Sequence, residues 1–295
     1  MIEINKIHQG NCIEVMKLID DKSIDMILCD LPYGTTACKW DIIIPFNNLW
    51  KQYNRIIKDN GTIVLFGQEP FSSYLRISNI KNYKYDWIWV KERLTNISQV
   101  KKRAGKTVET ISIFYKQQPI YNPQMTIYTG TPRTNKVKNG KMGKLTDSQE
   151  KKVFEYEDTG LRYPTQILNF QRDCLKSNIH PTQKPVALME YLIKTYTNEG
   201  DLVLDNCAGS GTTGVACKNL NRNFILIEKE EKYIKVIEER LGKQSATGFT
   251  QNSTSSGFPT ENSPNMRYQE TSSEVSQIAD ATSDNANIKQ MRQMK

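Results

Sequence analysis

Short apolar runs alternate with amphipathic stretches along the first 242 residues of the chain. Runs such as IDMILC and TIVLF are typical of strands buried on both faces of a sheet, and the stretches between them show helical spacing. The predicted strands are Ile4–Gln9, Ile24–Cys29, Thr62–Phe66, Tyr85–Val90, Thr110–Tyr115, Leu202–Leu204 and Phe224–Ile227. The predicted helices are Cys12–Leu18, Phe46–Lys58, Tyr74–Asn79, Val186–Thr197, Thr212–Leu220 and Glu231–Leu241. This alternation favours an α/β fold with a mostly parallel sheet.

Two segments lack this order. Residues 117–179 show no clear period and hold several turn residues. Residues 243–295 are dominated by Ser, Thr, Asn and Gln, and their few apolar residues cannot bury enough surface to offset the entropy of ordering the chain. We therefore expect a disordered tail over 243–295.

The composition excludes several classes of protein. With 295 residues, of which 38% are hydrophobic and 24% charged, the chain is neither a small disulfide scaffold nor wholly disordered. No run approaches about 18 apolar residues and no secretory signal is present, so we expect a cytoplasmic protein without a membrane span. The six cysteines form no Cys-x-x-Cys pair and there are only two histidines, so we expect reduced cysteines and no metal site.

Positive charge is concentrated in the middle of the chain. The net charge is +8, and residues 91–150 hold twelve Lys and Arg against four Asp and Glu. Within loop 92–109, which joins two predicted strands, we expect phosphate contacts from Lys101, Lys102, Arg103 and Lys106. A solvated basic loop has the same composition, so charge alone leaves the two interpretations open.

A glycine-rich turn near the C-terminus has the form of a cofactor site. The strand before it ends at Asp205, Gly209 and Gly211 lie in the turn, and the next strand ends at Glu228. Glycines allow positive φ and close approach of a ligand to the backbone. A carboxylate at the end of the second strand can accept hydrogen bonds from both hydroxyls of a ribose. The turn therefore indicates a cofactor that contains a nucleoside.

Other interpretations of this turn stay open. The string GSGTTG fits the dinucleotide pattern G-x-G-x-x-G, but only one strand and one helix follow it before the tail, fewer than a dinucleotide fold needs. No Gly-Lys-Ser/Thr follows, which argues against a phosphate-binding P-loop. A turn that only packs a helix against a strand would use glycines in the same way.

A second motif, Asp30-Leu31-Pro32-Tyr33, follows the predicted strand Ile24–Cys29, where ligands gather in open α/β sheets. The amine of a nucleic-acid base is a weak nucleophile, because its lone pair is delocalised into the ring. Asp30 and the carbonyl of Leu31 can accept its two hydrogens. Pro32 can stiffen the turn, and Tyr33 can stack on a base flipped out of a duplex. A plain turn that uses Pro and Gly is the alternative.

With these motifs the chain resembles the amino-methyltransferases of DNA, which transfer a methyl group from S-adenosylmethionine to adenine N6 or cytosine N4. Their catalytic motif, Asp/Ser/Asn-Pro-Pro-Tyr, corresponds to residues 30–33, and their cofactor motif, Asp-Pro-Phe-x-Gly-x-Gly-Thr-Thr, to residues 205–213. The string HPTQKP at 180–185 is a third match. The catalytic motif comes first, as in the circularly permuted beta class of that family. The resemblance covers about residues 1–242.

The resemblance implies a circularly permuted Rossmann-like methyltransferase fold, with a mixed, mostly parallel seven-stranded sheet and helices on both faces. It implies a catalytic half over 1–116, a target-recognition region over 117–179 and a cofactor-binding half over 180–242. The catalytic residues it implies are Asp30, Leu31, Pro32 and Tyr33. The cofactor-binding residues it implies are Asn11, Asp205, Ala208, Gly209, Gly211, Thr212 and Glu228.

Three positions depart from the family's motifs. Asn11 stands where the family usually has Asp, Leu31 replaces the first Pro, and Asn206-Cys207 replaces Pro-Phe. Leu31 keeps the backbone carbonyl, so we expect activity to survive, whereas loss of Phe removes an apolar wall of the cofactor site. Lys184, in the HPTQKP string, is expected to hold the loop before the next helix.

The resemblance thus implies an S-adenosylmethionine-dependent DNA methyltransferase with double-stranded DNA as partner, and a restriction endonuclease as a candidate second partner. Asp rather than Ser at position 30 favours adenine N6, with cytosine N4 as the alternative. An RNA or protein methyltransferase and an inactive DNA-binding module are more distant alternatives. The basic segment argues against a protein substrate, and the intact Asp30, Pro32, Tyr33 and Glu228 argue against an inactive module.

Overall fold

Ten strands form two sheets in the part of the chain that the structure describes. This computed structural model describes residues 2–36, 38, 41–130, 159–172 and 183–246, with the backbone alone for 243–246. The strands are β1 (Lys6–Gln9), β2 (Ile24–Cys29), β3 (Ile57–Gly67), β4 (Tyr83–Val90), β5 (Val108–Phe114), β6 (Thr126–Ile127), β7 (Leu161–Arg162), β8 (Ile167–Asn169), β9 (Leu202–Asp205) and β10 (Asn223–Glu228). Eight of them form one sheet in the order β1-β10-β9-β2-β3-β5-β4-β8, and β6 pairs with β7 separately.

The strand order is circularly permuted, as predicted. The C-terminal strands β9 and β10 lie in the sheet between β1 and β2, so the two ends of the described chain build its middle together. Only β5 runs antiparallel to its neighbours in the large sheet. Because β1, β10, β9 and β2 are parallel, the residues that follow them meet at one edge.

Six helices cover both faces of the sheet within the described residues. They are α1 (Cys12–Met16), α2 (Phe46–Ile56), α3 (Phe71–Ser78), α4 (Val186–Tyr196), α5 (Thr212–Asn219) and α6 (Glu231–Ala246). Side chains of β2 alternate between the two faces: Met26 and Leu28 pack with α4 and α5, whereas Ile27 and Cys29 pack with α1 and α2. Double burial of β2 explains its continuous apolar run, and it confirms the predicted α/β fold.

The structure has one strand more than the seven predicted for the large sheet. Residues 167–169, in the segment without a clear period, form β8 and pair in parallel with β4, Ile88 opposite Ile167. A strand of three residues is too short to produce a recognisable pattern. The tail prediction also needs correction at its start, because α6 continues from Glu231 to Ala246.

The end of α2 differs from the prediction as well. The sequence predicts a helix that ends at Lys58, because Asn60-Gly61 favours a turn after it. In the structure α2 ends at Ile56 and β3 already begins at Ile57. The pairing jumps from Ile24–Ile57 to Met26–Thr62, so the extra residues of β3 form an irregularity at Asn60-Gly61. Residues 131–158 and 173–179 of the predicted target-recognition region, residues 180–182 of the HPTQKP string and residues 247–295 of the predicted tail lie outside the described residues.

None of the described helices has the length and apolar character that crossing a membrane requires.

Candidate active site

A cavity of about 1050 Å³ opens at the edge where β1, β2, β9 and β10 end. Its walls include both predicted motifs, residues 30–33 after β2 and residues 205–210 after β9. Asn11, from the segment after β1, and Glu228, from the end of β10, also line it. The fold therefore brings segments far apart in the chain to one cavity.

The glycine-rich turn is held by Asp205 and by its own backbone conformation. Asp205 accepts hydrogen bonds from the backbone N–H of Cys207, at 3.1 Å, and from the Thr213 hydroxyl. Gly209 and Gly211 have φ of 52° and 74°, the left-handed conformation that favours glycine. Burial raises the pKa of Asp205 to about 6. Asp205 is thus bonded as an orienting group of the turn.

Glu228 connects the ends of β10 and the glycine turn. Its Oε2 accepts the backbone N–H of Gly209 at 2.8 Å, and its Oε1 accepts those of Lys229 and Glu230 at 2.8 and 2.9 Å. Burial raises its pKa, and the three backbone hydrogen bonds oppose this increase. A carboxylate offers about four acceptor positions, so Oε2 keeps one for a further donor.

Asn11 has a structural role at the start of α1. Its side chain caps the helix by accepting the backbone N–H of Ile13 at 2.9 Å, and the residue also lines the cavity. Asn11 replaces an aspartate of the family's motif, and this cap is one that either side chain can make. Ala208 and Thr212, the other implied cofactor residues, line the cavity from the glycine turn and the start of α5.

At Asn206-Cys207, where the sequence departs from the family's motif, other side chains of the protein contact the turn. The buried Tyr53 hydroxyl donates to Asn206 Oδ1 at 2.5 Å, which ties the turn to α2. The hydrogen bond with the Cys12 thiol acts to lower the Cys207 pKa, but the hydrogen bond with Cys29 and burial outweigh it and raise that pKa well above its usual value. Small thiols and an amide therefore stand where the family's motif has Pro-Phe.

The catalytic motif presents Asp30 to the cavity between two partners. The Tyr33 hydroxyl donates to Asp30 Oδ1, and Lys184 Nζ lies 2.7 Å from Asp30 Oδ2. The Tyr33 ring rests on Phe71 with centroids 5.0 Å apart. Leu31 is buried. The hydroxyl of Tyr33 is thus a partner of the carboxylate, in addition to the stacking surface that the sequence suggested.

Lys184 belongs to a chain of four alternating charges that begins at Asp30. Lys184 Nζ also lies 3.5 Å from Glu109 Oε2, and Lys91 Nζ lies 3.0 Å from Glu109 Oε1. The side chains of Lys91, Glu109 and Lys184 are each less than one tenth exposed. Buried charges of this kind need partners, because an uncompensated one is strongly destabilising. Two cations and two anions compensate each other here.

The network sets the protonation of its members. Burial raises the pKa of Asp30 and Glu109 adds to the increase, while Lys184 and Tyr33 oppose it. Burial acts to lower the pKa of Lys184, but Asp30 and Glu109 outweigh it and raise that pKa. Burial and the nearby Asp30 raise the pKa of Tyr33 well above 10, so its hydroxyl stays a hydrogen-bond donor.

The loop after the motif is held by Asp41. Its carboxylate accepts the backbone N–H groups of Gly34, Thr35 and Thr36 at 2.7 to 2.9 Å. Burial acts to raise the Asp41 pKa, but the hydrogen bonds from Thr36, Gly34 and Thr35 lower it overall. Gly34 has φ of 67°, which suits a glycine directly after Tyr33.

The basic loop between β4 and β5 borders the same cavity. Of the four predicted phosphate-contacting residues, Arg103 and Lys106 line the cavity, whereas Lys101 and Lys102 are exposed outside its lining. Lys106 Nζ donates to Gln68 Oε1 at 3.0 Å, so it is partly engaged within the protein. Their contact with DNA stays a prediction.

Sequence reasoning placed Lys184 in a supporting loop and passed over Glu109 and Lys91. The structure puts all three behind Asp30. The available signal was a charge inside or next to an apolar strand. Glu109 lies within VETISIF and Lys91 directly follows YDWIWV, and a buried charge there needs a partner.

The fold and the cavity define the class as an enzyme of the permuted Rossmann-like type with a nucleoside-containing cofactor, in which an acidic motif faces the glycine turn. The sequence matches the N6/N4 DNA methylase family over residues 24–239, and the chain belongs to that family. It is therefore a DNA amino-methyltransferase, which confirms the resemblance inferred from the motifs.

Two relatives span most of the chain. The type II methyltransferase M1.MboII of Moraxella bovis is 30% identical over an alignment of 264 residues that covers 79% of this chain and 95% of that protein. The DNA adenine methyltransferase YhdJ of Escherichia coli K12 is 28% identical over an alignment of 254 residues that covers 81% of this chain and 83% of that protein.

Solved structures have the same fold. The M1.HpyAVI–SAM complex aligns with a TM-score of 0.53 at 28% identity, over 80% of this chain and 98% of the other. The cytosine-N4-specific PvuII DNA methyltransferase aligns with a TM-score of 0.57 over 84% and 88% of the two chains. At 17% identity the second likeness concerns the fold alone.

Proposed function

We propose that the protein transfers a methyl group from S-adenosylmethionine to N6 of an adenine flipped out of double-stranded DNA. The observation that carries this proposal is the shared cavity, in which Asp30 and Tyr33 face the turn of Gly209 and Glu228. Support for adenine comes from aspartate at position 30 and from the adenine specificity in YhdJ's name.

The cofactor side of the cavity fits S-adenosylmethionine. Oε2 of Glu228 keeps an acceptor position for a ribose hydroxyl, and Gly209 and Gly211 leave the turn free of side chains in a conformation that other residues rarely adopt. The cavity of about 1050 Å³ is ample for a ligand of this size. A solved complex of the relative M1.HpyAVI with SAM adds support. When bound, the cofactor supplies an electrophilic methyl group.

The chain's own residues prepare the target amine. Asp30 accepts a hydrogen bond from one N–H and the carbonyl of Leu31 accepts the other, which localises the lone pair on nitrogen. Lys184 and Tyr33 each hold one oxygen of the Asp30 carboxylate, so its position is fixed before the base arrives. Each oxygen keeps a further lone pair for the amine.

The test is methylation of DNA that carries no prior modification. Purified protein is incubated with the DNA and tritiated S-adenosylmethionine, and digestion of the product identifies the marked base. Labelled N6-methyladenine is the expected result. Labelled N4-methylcytosine would retain the enzyme class and overturn the choice of base. A parallel incubation offers RNA instead of DNA, and label in the RNA with none in the DNA would overturn the DNA substrate.

The main alternative is cytosine N4. It is supported by the family's own range, which includes N4 as well as N6 methylation. A restriction endonuclease as partner stays a prediction, in line with the type II methyltransferases among the relatives.

A further inference from the structure

The basic loop between β4 and β5 is braced rather than open. The backbone N–H of Lys91 donates to the Thr107 carbonyl at 2.7 Å, and that of Thr95 to the Lys106 carbonyl at 2.9 Å. Asn96 is buried and joins the two arms of the loop, donating to the Ala104 carbonyl at 3.1 Å and accepting the Lys106 N–H at 2.6 Å. The residue after Asn96 is therefore held at a defined place.

That residue, Ile97, is apolar and strongly exposed. It begins a short 3₁₀ turn, lines the cavity, and is 71% exposed. Leu94, on the same loop, packs against Gly105, where an added Cβ would lie 2.4 Å from Leu94 Cδ2. Single exposed apolar side chains are common on protein surfaces, but this one is fixed at the border of the active-site cavity, where burying it against a partner would be favourable.

Charge around Ile97 favours a polyanionic partner. Basic side chains of the loop precede and follow it at Arg93, Lys101, Lys102, Arg103 and Lys106. Phosphates on both sides of a base step would meet these residues, while the apolar side chain between them would meet the bases. An apolar wedge flanked by Lys and Arg is an arrangement that opens a step in duplex DNA.

We propose that Ile97 enters the base stack of the DNA duplex and fills the gap left by the flipped target base. The inference rests on the proposed function and adds the residue that stabilises the open duplex. A flipped base loses its stacking and pairing, and an apolar side chain in its place recovers part of the lost contact.

Ile42 is the rival for this role, since it is equally exposed, at 71%, and lines the same cavity. It follows Asp41, whose carboxylate accepts a hydrogen bond from the loop after the catalytic motif. Within five residues of Ile42 the only basic residue is Lys39, whereas Arg93, Lys101 and Lys102 lie within five residues of Ile97. Charge therefore assigns the wedge to Ile97.

The methylated site is first located by sequencing DNA that the wild type has modified. The test then compares Ile97→Ala with wild type on two duplexes that contain this site. In the first the target base is paired; in the second it faces an abasic position, which removes the pairing that flipping must break. Single-turnover methylation by Ile97→Ala should fall about 10-fold or more on the paired duplex, since opening a step costs a few kcal/mol. On the abasic duplex it should return to within about twofold of wild type.

Two control variants make the result specific. Ile77→Ala removes an isoleucine of the same 71% exposure from α3, outside the cavity lining, and should leave both rates unchanged. Lys102→Gln removes a predicted phosphate contact and should weaken methylation of both duplexes alike.

Three outcomes would overturn the assignment: an unchanged rate in Ile97→Ala on the paired duplex, a loss that the abasic duplex does not rescue, or the same rescue shown by Ile42→Ala instead. The wild type serves as the reference for the proposed function. If it methylates neither duplex, the proposed function fails and the wedge with it; if it is active and only the variants disagree, the wedge alone fails.

Discussion

The proposed role of Asp30 requires a negative charge in a place that disfavours charge, and Lys184 favours the charged form. Burial and Glu109 raise the pKa of the carboxylate, and Lys184 at 2.7 Å opposes them. The sequence revealed Asp30 through its motif but did not reveal this partner. The two residues lie 154 positions apart, and no local pattern reports a contact across that separation.

Replacing Asp30 tests the motif itself. Asp30→Ala removes the acceptor that positions the target amine, so we expect the methylation rate to fall roughly 100-fold or more, as happens when reacting groups are misplaced. Asp30→Asn keeps an acceptor oxygen without the charge and should lie between Asp30→Ala and wild type. Cofactor affinity, measured by calorimetry, should be unchanged in both. A wild-type rate in Asp30→Ala would mean that the motif is only a turn.

The pH dependence of methylation tests the network behind Asp30. In the proposed mechanism the ionised carboxylate is the active form, so we expect the rate to be lost as pH falls through the Asp30 pKa. The raised pKa places this acid limb higher than for an ordinary aspartate. Lys184→Met removes the opposing cation, so the limb should move to higher pH. Glu109→Gln removes a nearby negative charge, so the limb should move to lower pH.

The measurement is the single-turnover rate against pH, with Lys51→Met, an exposed lysine of α2, as control. Equal profiles for Lys184→Met and Glu109→Gln would show that the network only supports the fold. Thermal unfolding of each variant separates loss of protein from a shifted limb, because removing one partner of a buried pair is destabilising by about 3–5 kcal/mol.

At the scale of elements, the three glycines of GSGTTG meet two different structural requirements. Gly209 and Gly211 are in the left-handed conformation, whereas Gly214 lies inside α5, where an added Cβ would lie 2.7 Å from Leu226 Cδ1. Close packing of α5 on β10 thus accounts for the third glycine and the turn accounts for the other two. The sequence predicted both uses but not which glycine serves which.

Glu228 is bonded to that turn and is the proposed ligand of the cofactor's ribose. We expect Glu228→Ala to weaken S-adenosylmethionine binding by about 1–3 kcal/mol, the usual worth of hydrogen bonds to a charged group. Isothermal titration calorimetry measures this loss directly. Glu231→Ala removes an exposed glutamate three residues further along and is the matched control. Equal affinities for both variants would remove Glu228 from the cofactor site.

Element boundaries were predicted best where burial is complete. The bounds of β2 were predicted as Ile24–Cys29 and are found there, because both faces of that strand are apolar. The bounds of β3 were missed, because its first residues pair with β2 despite Asn60-Gly61. Tertiary pairing there overrides a local signal that usually ends an element.

At the scale of the whole molecule, charge is distributed as a DNA enzyme would require. The net charge of +8 equals the excess of basic residues in 91–150, a segment that includes the loop at the cavity. Neutralising Lys101, Lys102, Arg103 and Lys106 together should weaken binding to every DNA sequence alike, and it should flatten the dependence of affinity on salt.

Fluorescence anisotropy at several salt concentrations measures this slope. The control neutralises four exposed lysines outside the cavity lining, namely Lys6, Lys51, Lys81 and Lys235. A slope that changes equally in both variants would mean that total charge matters and the position of the loop does not.

The permuted order of the large sheet also has a consequence for how the protein is made. Strands β1 and β2 leave the ribosome early but do not pair with each other, since β10 and β9 lie between them. The centre of the sheet therefore stays open until the last of the described residues have been synthesised. Because N-terminal segments otherwise fold first during synthesis, the nascent chain exposes two unpaired strand edges for most of translation. The catalytic motif is thus synthesised early and the proposed cofactor site late. We therefore expect no methylation by a ribosome-bound fragment that lacks β9 and β10.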